Sequence, residues 1–285
     1  MTATAAFALQ LPQEDALPLL FDSPHSGRHY PDDWATPLSR AQLRRGEDAY
    51  VDELIAGAAR HGISVLAAQF PRCYIDVNRE VDDIDAELLA EPWPGPAPLR
   101  PTQKSRNGLG LIRRYVVPGM AIVDKPLAIS DVRARIERVY LPYHRALAQQ
   151  QQTLLKRFGF VWHVDWHSMK SRGNAMTPDG DGAQRPDMVV GDLDGTSADP
   201  RFVEWVVAEL RGSGYRVSIN DPYKGATIVR KYGAPARGCS TIQIEMNRAL
   251  YLDESSVTLV AAAEKLKASL ESLMAALAAQ CRRHM

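Results

Sequence analysis

Two histidines of this 285-residue chain follow apolar runs and have the surroundings of metal ligands. His25 lies in the segment FDSPHSGRHYP, where Pro24 and Gly27 would fix a tight turn and hold the imidazole at a sheet edge. His167 lies near the end of the segment FVWHVDWHS, which has the pattern of a strand. Open α/β sheets bind their ligands beyond the carboxyl ends of their strands, so both histidines are candidates for one site.

The segment FVWHVDWHS alternates in character with a period of two. One face of the strand would carry its large apolar residues, Phe160, Trp162, Val164 and Trp166. The other face would carry His163, Asp165 and His167. The helical zinc motif needs a glutamate after its first histidine, which this segment lacks. Because His167 lies nearer the carboxyl end of the strand, we interpret it as a ligand and His163 as a buried core histidine. Asp165 either orients an imidazole or caps a loop.

A catalytic zinc site usually has three protein ligands, so two histidines call for a carboxylate as well. The segment RRGEDAYVDEL offers Glu47 and Asp48 near the start of a helix. Acidic residues at such a position also complement the helix dipole without binding a metal. The residues alone leave the choice between Glu47 and Asp48 open.

Two further segments carry charged groups suited to catalysis or substrate binding. In FPRCYIDVNRE, Arg72 and Arg79 lie close enough to grip a carboxylate, although they could instead form surface salt bridges with the acidic DDID stretch. In IQIEMNR, Glu245 lies between apolar residues, which would raise its pKa toward that of a general base or acid working near neutral pH. The alternative is a structural glutamate paired with Arg248.

Short apolar runs alternate with helical patterns along the chain, which predicts an α/β fold with a mostly parallel central sheet between two layers of helices. We predict strands at 18–23, 64–70, 160–168, 188–192 and 240–247, and helices at 43–61, 130–158, 200–213 and 255–284. Prolines in the stretch from about 84 to 119 predict a long irregular excursion. With no repeat and no sharp change in composition, residues 1–285 are interpreted as one domain.

Composition excludes several classes of partner. Lys plus Arg and Asp plus Glu both number 34, so the net charge is zero and neither nucleic acid nor an anionic membrane is expected to bind. Three scattered cysteines suit free thiols in a reducing compartment. We find neither a signal-peptide pattern nor an apolar stretch long enough to span a membrane, and we expect a cytoplasmic protein. The sequence leaves the oligomeric state unknown.

Six segments taken together resemble the N-formylglutamate amidohydrolase family, from about Phe21 to Asp253. They are SPHSGRHYP, FPRCYIDVNRE, VDWHSM, RPDMVVGDLDGTSADP, NDPYKGATIVRKYG and IQIEMNRALYLDE. The resemblance implies a zinc-dependent amide hydrolase with a fold similar to that of zinc carboxypeptidases and aspartoacylase. The implied reaction removes the formyl group from N-formylglutamate during histidine breakdown.

The resemblance also implies roles for individual residues. Asp48 rather than Glu47 matches the carboxylate ligand, although Arg28 stands where the carboxypeptidases have their glutamate. Arg72 would polarise the scissile carbonyl and Glu245 would act as general base. The remaining implied groups are the zinc ligands His25 and His167 and the substrate-carboxylate pair Asn78 and Arg79. The resemblance assigns no group to a second carboxylate, for which our candidates are Arg113, Lys224 and Arg230.

Two alternatives remain open at this point. A metal-dependent deacylase or carboxypeptidase acting on another N-acyl amino acid would use the same metal ligands, because specificity lies in the pocket. The second alternative is a metal-free binding protein of the same fold. Such a protein is expected to have lost at least one of the metal ligands. All three proposed ligands and the proposed base are present in this chain.

Overall fold

The computed structural model describes residues 4–12, 15–95 and 97–285, and seven of its strands form one sheet. These strands are β1 (Phe7–Gln10), β2 (Leu19–Ser23), β3 (Ser64–Ala68), β4 (Val161–Met169), β5 (Met188–Gly191), β6 (Val217–Ile219) and β7 (Cys239–Asn247). Their order is β1-β3-β2-β4-β7-β5-β6. The four central strands are parallel to one another, and β1 and β5 join them antiparallel. A mixed, mostly parallel sheet is therefore confirmed.

Helices cover both faces of the sheet. They are α1 (Arg40–Arg44), α2 (Val51–Leu54), α3 (Gln103–Arg106), α4 (Ile129–Arg135), α5 (Leu141–Phe158), α6 (Pro200–Gly212), α7 (Thr227–Tyr232) and α8 (Ala263–His284). Apolar residues of α2, α6 and α8 pack on one face of the sheet, and those of α4, α5 and α7 pack on the other. The predicted three-layer arrangement is confirmed. Within the described residues, no helix is long and apolar enough to cross a membrane.

Strand β4 separates an apolar face from a polar one, as its alternation predicts. Trp162, Val164 and Trp166 belong to the core beneath α6 and α8. His163 lies on the opposite face, fully buried, with its Nε2 atom 2.8 Å from Oδ1 of Asp22 on β2. The interpretation of His163 as a satisfied core histidine is confirmed.

The site region lies where the strand order reverses. The chain passes from β2 to β3 on one side of the sheet, and later returns to add β4 on the other side of β2. A crevice opens beyond the carboxyl ends of two strands whose connections leave in opposite directions. His25 follows β2 and His167 lies near the end of β4, so the topology alone brings the two histidines to the same crevice.

Several predicted boundaries differ from the structure. The helix predicted at 43–61 is broken into α1, α2 and a 3-10 stretch at Ala56–His61, because residues 45–50 turn toward the His25 loop. The helix predicted from residue 255 begins only at Ala263, after a small hairpin of β8 (Leu252–Asp253) and β9 (Thr258–Leu259). The 84–119 excursion is irregular apart from α3 and a 3-10 turn at Ala86–Leu88. Edge strands β1 and β6 were not predicted.

A buried aromatic contact joins β2 to β4, and its contribution to the core can be tested. Phe21 is fully buried and its ring meets the Trp166 ring edge-on at 5.4 Å. Phe21→Ala should lower the free energy of unfolding by about 3–5 kcal/mol, because it leaves a cavity in the core. Chemical denaturation measures the loss. Phe158→Ala, which shortens a half-buried ring at the end of α5, is the control, and equal losses would contradict the assignment of Phe21 to the core.

Candidate active site

Three buried side chains converge at the crevice beyond β2 and β4. Donor atoms of His25, Asp48 and His167 all lie within 4.8 Å of one another. The Nδ1 atoms of the two histidines are 3.0 Å apart. Oδ2 of Asp48 is 3.0 Å from Nδ1 of His167 and 3.4 Å from Nδ1 of His25. The structure thus brings together two histidines and one acidic residue that are far apart in sequence.

The His25 turn is held by backbone contacts that require a glycine. A Cβ atom on Gly27 would lie 2.3 Å from the carbonyl oxygen of Phe70, so only glycine allows the loop to approach that strand end. The His29 amide donates to the carbonyl of Gln69 at 2.8 Å. The Asp48 amide donates to the carbonyl of His25 at 3.0 Å, and this bond sets the carboxylate beside the first imidazole.

Each imidazole is also held from behind by a buried carboxylate. Nε2 of His25 is 2.6 Å from Oδ1 of Asp76, and Nε2 of His167 is 2.9 Å from Oδ1 of Asp165. Among the described residues, that Asp165 oxygen forms no aligned hydrogen bond, so its contact with His167 is a close ion pair. Asn78 adds a contact to Nε2 of His167 at 3.1 Å. Both rings therefore direct Nδ1 toward the shared centre, with orientations fixed as in carboxylate–histidine metal sites.

The arrangement fits a divalent cation. Ligand atoms bound to a tetrahedral zinc ion at its usual bond lengths lie about 3.3 Å from one another. The three distances among the donor atoms here, 3.0 to 3.4 Å, bracket that value. Two imidazole nitrogens and one carboxylate oxygen also form the mixed donor set of catalytic zinc enzymes.

The structure groups Asp48, not Glu47, with the histidines. The Glu47 side chain turns away to accept a hydrogen bond from the Tyr30 hydroxyl, and burial raises its pKa to about 8. Burial would also raise the pKa of Asp48, but hydrogen bonds from His167 and His25 hold it well below its usual value. Arg28, which stands at the glutamate position of the carboxypeptidases, is exposed and pairs with Glu53 at 2.6 Å.

Two arginines neutralise the buried acids. Arg72 donates to Oδ2 of Asp76 at 3.0 Å and lies 3.5 Å from Oδ1 of Asp48. Arg248 donates to Oδ1 of Asp48 at 2.9 Å and to Oγ of Ser168 at 3.1 Å. The sequence analysis considered Arg248 only as a partner for Glu245. Its position directly after a strand with a buried acid was the available signal for a role at the site.

Glu245 lies beside the candidate metal ligands. It pairs in register with His167 across β4 and β7, and its side chain is 9% exposed. Gln243 donates to Oε1 of Glu245 at 2.9 Å, which leaves Oε2 available. Burial raises the pKa of Glu245, the direction that a general base or acid at near-neutral pH requires.

A cavity of about 410 Å³ opens over these groups and is strongly cationic. The acidic groups that line it are Asp48 and Glu245. The cations that line it are Arg45, Arg72, Arg79, Lys104, Arg113, Lys170, Arg185, Lys224 and Arg248. In a chain without net charge, this segregation concentrates positive potential where a ligand would enter.

The predicted substrate-binding residues occupy different settings. Asn78, Arg79 and Arg113 are buried and line the cavity. Lys224 lines it too, but its ammonium is half exposed and pairs with Asp194 at 2.9 Å. Arg230 is exposed, lies 3.7 Å from Glu80 and is not part of the described cavity lining.

Lys104 also lines the cavity, and the sequence analysis missed it. It lies on a short helix inside the irregular excursion, where no sequence pattern marks it. Lys104 is exposed, and the positive charge of Arg79 is the main cause that lowers its pKa to about 8. Two cations are therefore held close together at this wall of the cavity.

Comparisons with known proteins agree on one family. The sequence pattern of the N-formylglutamate amidohydrolase family matches residues 17–252. N-formylglutamate deformylase of Pseudomonas putida is 30% identical over 245 residues, which cover 84% of this chain and 83% of the relative. The deformylase of Pseudomonas aeruginosa is 29% identical over 244 residues, 84% of both chains. The crystal structure of N-formylglutamate amidohydrolase from Ralstonia eutropha JMP134 has a TM-score of 0.92 at 42% identity, covering 99% of this chain and 100% of that one.

The convergence of the three donor groups predicts that single substitutions abolish metal binding. His25→Ala or His167→Ala should reduce bound divalent metal from about one ion per chain to a small fraction, because two donors hold an ion far more weakly than three. Elemental analysis after loading with zinc measures this. His29→Ala, four residues from His25 and outside the triad, is the matched control. Full occupancy in either of the first two variants would exclude this ligand set.

Proposed function

We propose a reaction for this chain on the premise that it belongs to the N-formylglutamate amidohydrolase family and is a hydrolase acting on an amide bond. The proposed reaction is the hydrolysis of N-formyl-L-glutamate to glutamate and formate, with zinc as the metal. The observation that carries the proposal is the convergence of His25, Asp48 and His167 beside the buried Glu245.

His25, Asp48 and His167 would hold the zinc ion through Nδ1, Oδ2 and Nδ1, the atoms that face one another. Bound there, zinc would supply Lewis-acid chemistry by acidifying a water molecule and polarising a carbonyl group. Asp76 and Asp165 would act behind the histidines and keep each ring in the orientation and tautomer that ligation needs.

Glu245 is the group that would move the proton. Its free Oε2 takes a proton from water as the oxygen attacks the formyl carbon, and later gives that proton to the departing amine nitrogen of glutamate. Arg72 would donate a hydrogen bond to the formyl oxygen while negative charge develops on it. Arg72 is suited to this role because it lines the cavity while Asp76 fixes its other edge.

The excess of cations around the cavity favours an anionic substrate, and N-formylglutamate carries two carboxylates. Asn78 and Arg79 would bind the carboxylate next to the amide. Nε and Nη1 of Arg79 are used by the backbone carbonyls of Leu109 and Asn78, which rigidly orient the guanidinium. Lys104 and Arg113 line the same cavity, and Nε of Arg113 lies 3.4 Å from Oδ2 of Asp76 without forming an aligned hydrogen bond to a described residue. Lys224 stays a weaker candidate because Asp194 already pairs with it.

A deacylase or carboxypeptidase acting on another N-acyl amino acid is the alternative reaction, since the same metal ligands and base would serve it. Retention of every proposed ligand and of Glu245 argues against a metal-free binding protein. That the chain is a single domain, lies in the cytoplasm and serves histidine breakdown remain predictions from its sequence.

The proposed reaction predicts formate release that depends on metal. Purified protein should release formate from N-formylglutamate, lose that activity with a chelator and regain it when zinc is added. A formate dehydrogenase assay follows the product. A panel of N-acetyl, N-succinyl and peptide substrates tested in parallel addresses the alternative, and faster hydrolysis of any of them would replace N-formylglutamate as the substrate.

The proposed base predicts a separable effect on turnover. Glu245→Gln should lower kcat by about 10²-fold or more while the bound metal is retained. The raised pKa of Glu245 means that the active, ionised form is lost as pH falls, so the acid limb of kcat/KM in the unsubstituted enzyme should lie above pH 4.5. That limb should disappear in the variant. Unchanged kcat with full metal content would exclude Glu245 as the base.

A further inference from the structure

We propose that Arg45 and Lys170 form a subsite for the side-chain carboxylate of the substrate and set the preference for a dicarboxylate. The inference rests on the proposed function, because it concerns the same cavity and a substrate with two carboxylates. Neither residue was considered in the sequence analysis. Three other residues were predicted there for a second carboxylate. Arg113 lies beside the first subsite and close to Asp76, and Lys224 is already paired with Asp194. Arg230 is not part of the described cavity lining.

Both residues are tied to the candidate metal ligands through short segments of chain. Arg45 lies three residues before Asp48, and Lys170 lies three residues after His167. Both line the cavity. Their backbone carbonyls are held by other cations, since Arg248 Nη1 lies 3.4 Å from the Arg45 oxygen and Arg185 Nη1 lies 3.1 Å from the Lys170 oxygen. The two segments are thus fixed while the side chains remain available.

The neighbouring arginines are already neutralised, whereas Arg45 and Lys170 are not. Arg248 is committed to Asp48 at 2.9 Å, and Arg185 binds both oxygens of Asp179 at 2.8 Å. Within the described residues, no acidic group forms a salt bridge with the side chain of Arg45 or Lys170. Glu254 is the acidic group near Lys170, and its Oε1 accepts the Ser171 amide at 2.7 Å.

Unneutralised cations held together in a cavity favour an anion between them. Partial burial, followed by the charges of Arg248 and Arg45, lowers the pKa of Lys170, so its ammonium is subject to repulsion from nearby cations even though Arg248 pairs with Asp48. A carboxylate would relieve that repulsion and form charge-assisted hydrogen bonds to both side chains. A neutral side chain of the same shape would leave the repulsion in place.

The cavity therefore contains two separate groups of cations, one for each carboxylate. Arg79 donates to the Asn78 carbonyl at 2.9 Å on one side, whereas on the other Arg248 contacts both the Arg45 carbonyl at 3.4 Å and the hydroxyl of Ser168 at 3.1 Å, two residues before Lys170. Both groups of cations lie next to the reacting centre, because Asn78 contacts His167 and Arg248 contacts Asp48. The first group would bind the carboxylate next to the amide, and the second the carboxylate at the end of the side chain.

The test compares a charged substrate with its neutral isostere. Formate release from N-formylglutamate and N-formylglutamine is measured for the zinc-loaded enzyme and for Arg45→Gln and Lys170→Met. Each variant should lose about 10- to 100-fold in kcat/KM on N-formylglutamate, the range expected for one charge-assisted hydrogen bond. The loss on N-formylglutamine should be at least tenfold smaller. Lys156→Met removes one exposed positive charge at the end of α5, outside the cavity lining, and is the control for net charge.

Equal losses on both substrates, or no loss on N-formylglutamate, would overturn the subsite. Calorimetric binding of L-glutamate and L-glutamine to the same zinc-loaded proteins keeps the test independent of turnover. If the unsubstituted enzyme releases no formate, the proposed reaction fails. A glutamate preference that disappears in Arg45→Gln and Lys170→Met would then still support the subsite, and an unaltered preference would reject it.

Discussion

The site depends on keeping several acidic side chains buried within one small region. Asp48, Asp76, Asp165 and Glu245 are all buried, and burying an isolated carboxylate costs several kcal/mol. Arg72 offsets this cost by lying against Asp76 and Asp48 together, and Arg248 approaches the same Oδ1 atom of Asp48. Each cation therefore holds an acid in place and limits where the histidines can point. Loss of one arginine would leave a buried negative charge without its partner.

The alternation of strand residues explains how a polar site can exist inside a core. On β2, β4 and β7 one face is mostly apolar and packs beneath α2, α6 and α8, with Ser23, Ser168 and Ser240 as its polar positions. The other face changes along the strand from apolar residues to acids and histidines as it approaches the carboxyl end. Because neighbouring parallel strands end together, the polar ends of three strands meet at one crevice. Packing on the first face fixes the strands, and the strands fix the ligands on the second.

Local sequence patterns predicted the central strands and the two histidines proposed as metal ligands, because a period of two and a proline-glycine turn are both short-range features. The strand at 160–168 follows from that period, whereas the separate roles of His163 and His167 follow from their positions along it, because only His167 lies near the carboxyl end. The choice between Glu47 and Asp48 could not follow from it, since that choice depends on a hydrogen bond between the Asp48 amide and the carbonyl of His25. The break in the helix predicted at 43–61 has the same long-range cause.

Long-range pairing also explains why the roles of Asp76 and Arg248 were missed. Asp76 was not singled out in the sequence, and besides its neighbour Arg72 it contacts His25, 51 residues away. Arg248 was read with the nearby Glu245, but it binds Asp48, 200 residues away. A charged residue beside a strand end has many possible partners in sequence, and only the strand order decides which one it meets. The order β3-β2-β4-β7 brings the ends that carry these groups together.

Net charge describes this chain poorly because its charges are segregated. Zero net charge argues against a general attraction to polyanions, yet nine cations and two acids line one cavity. The two acids in that lining are the proposed metal ligand Asp48 and the proposed base Glu245. Negative groups are thus confined to the reacting centre and positive groups surround it. Such an arrangement attracts an anionic substrate by its ends while leaving the centre suited to a cation and a proton acceptor.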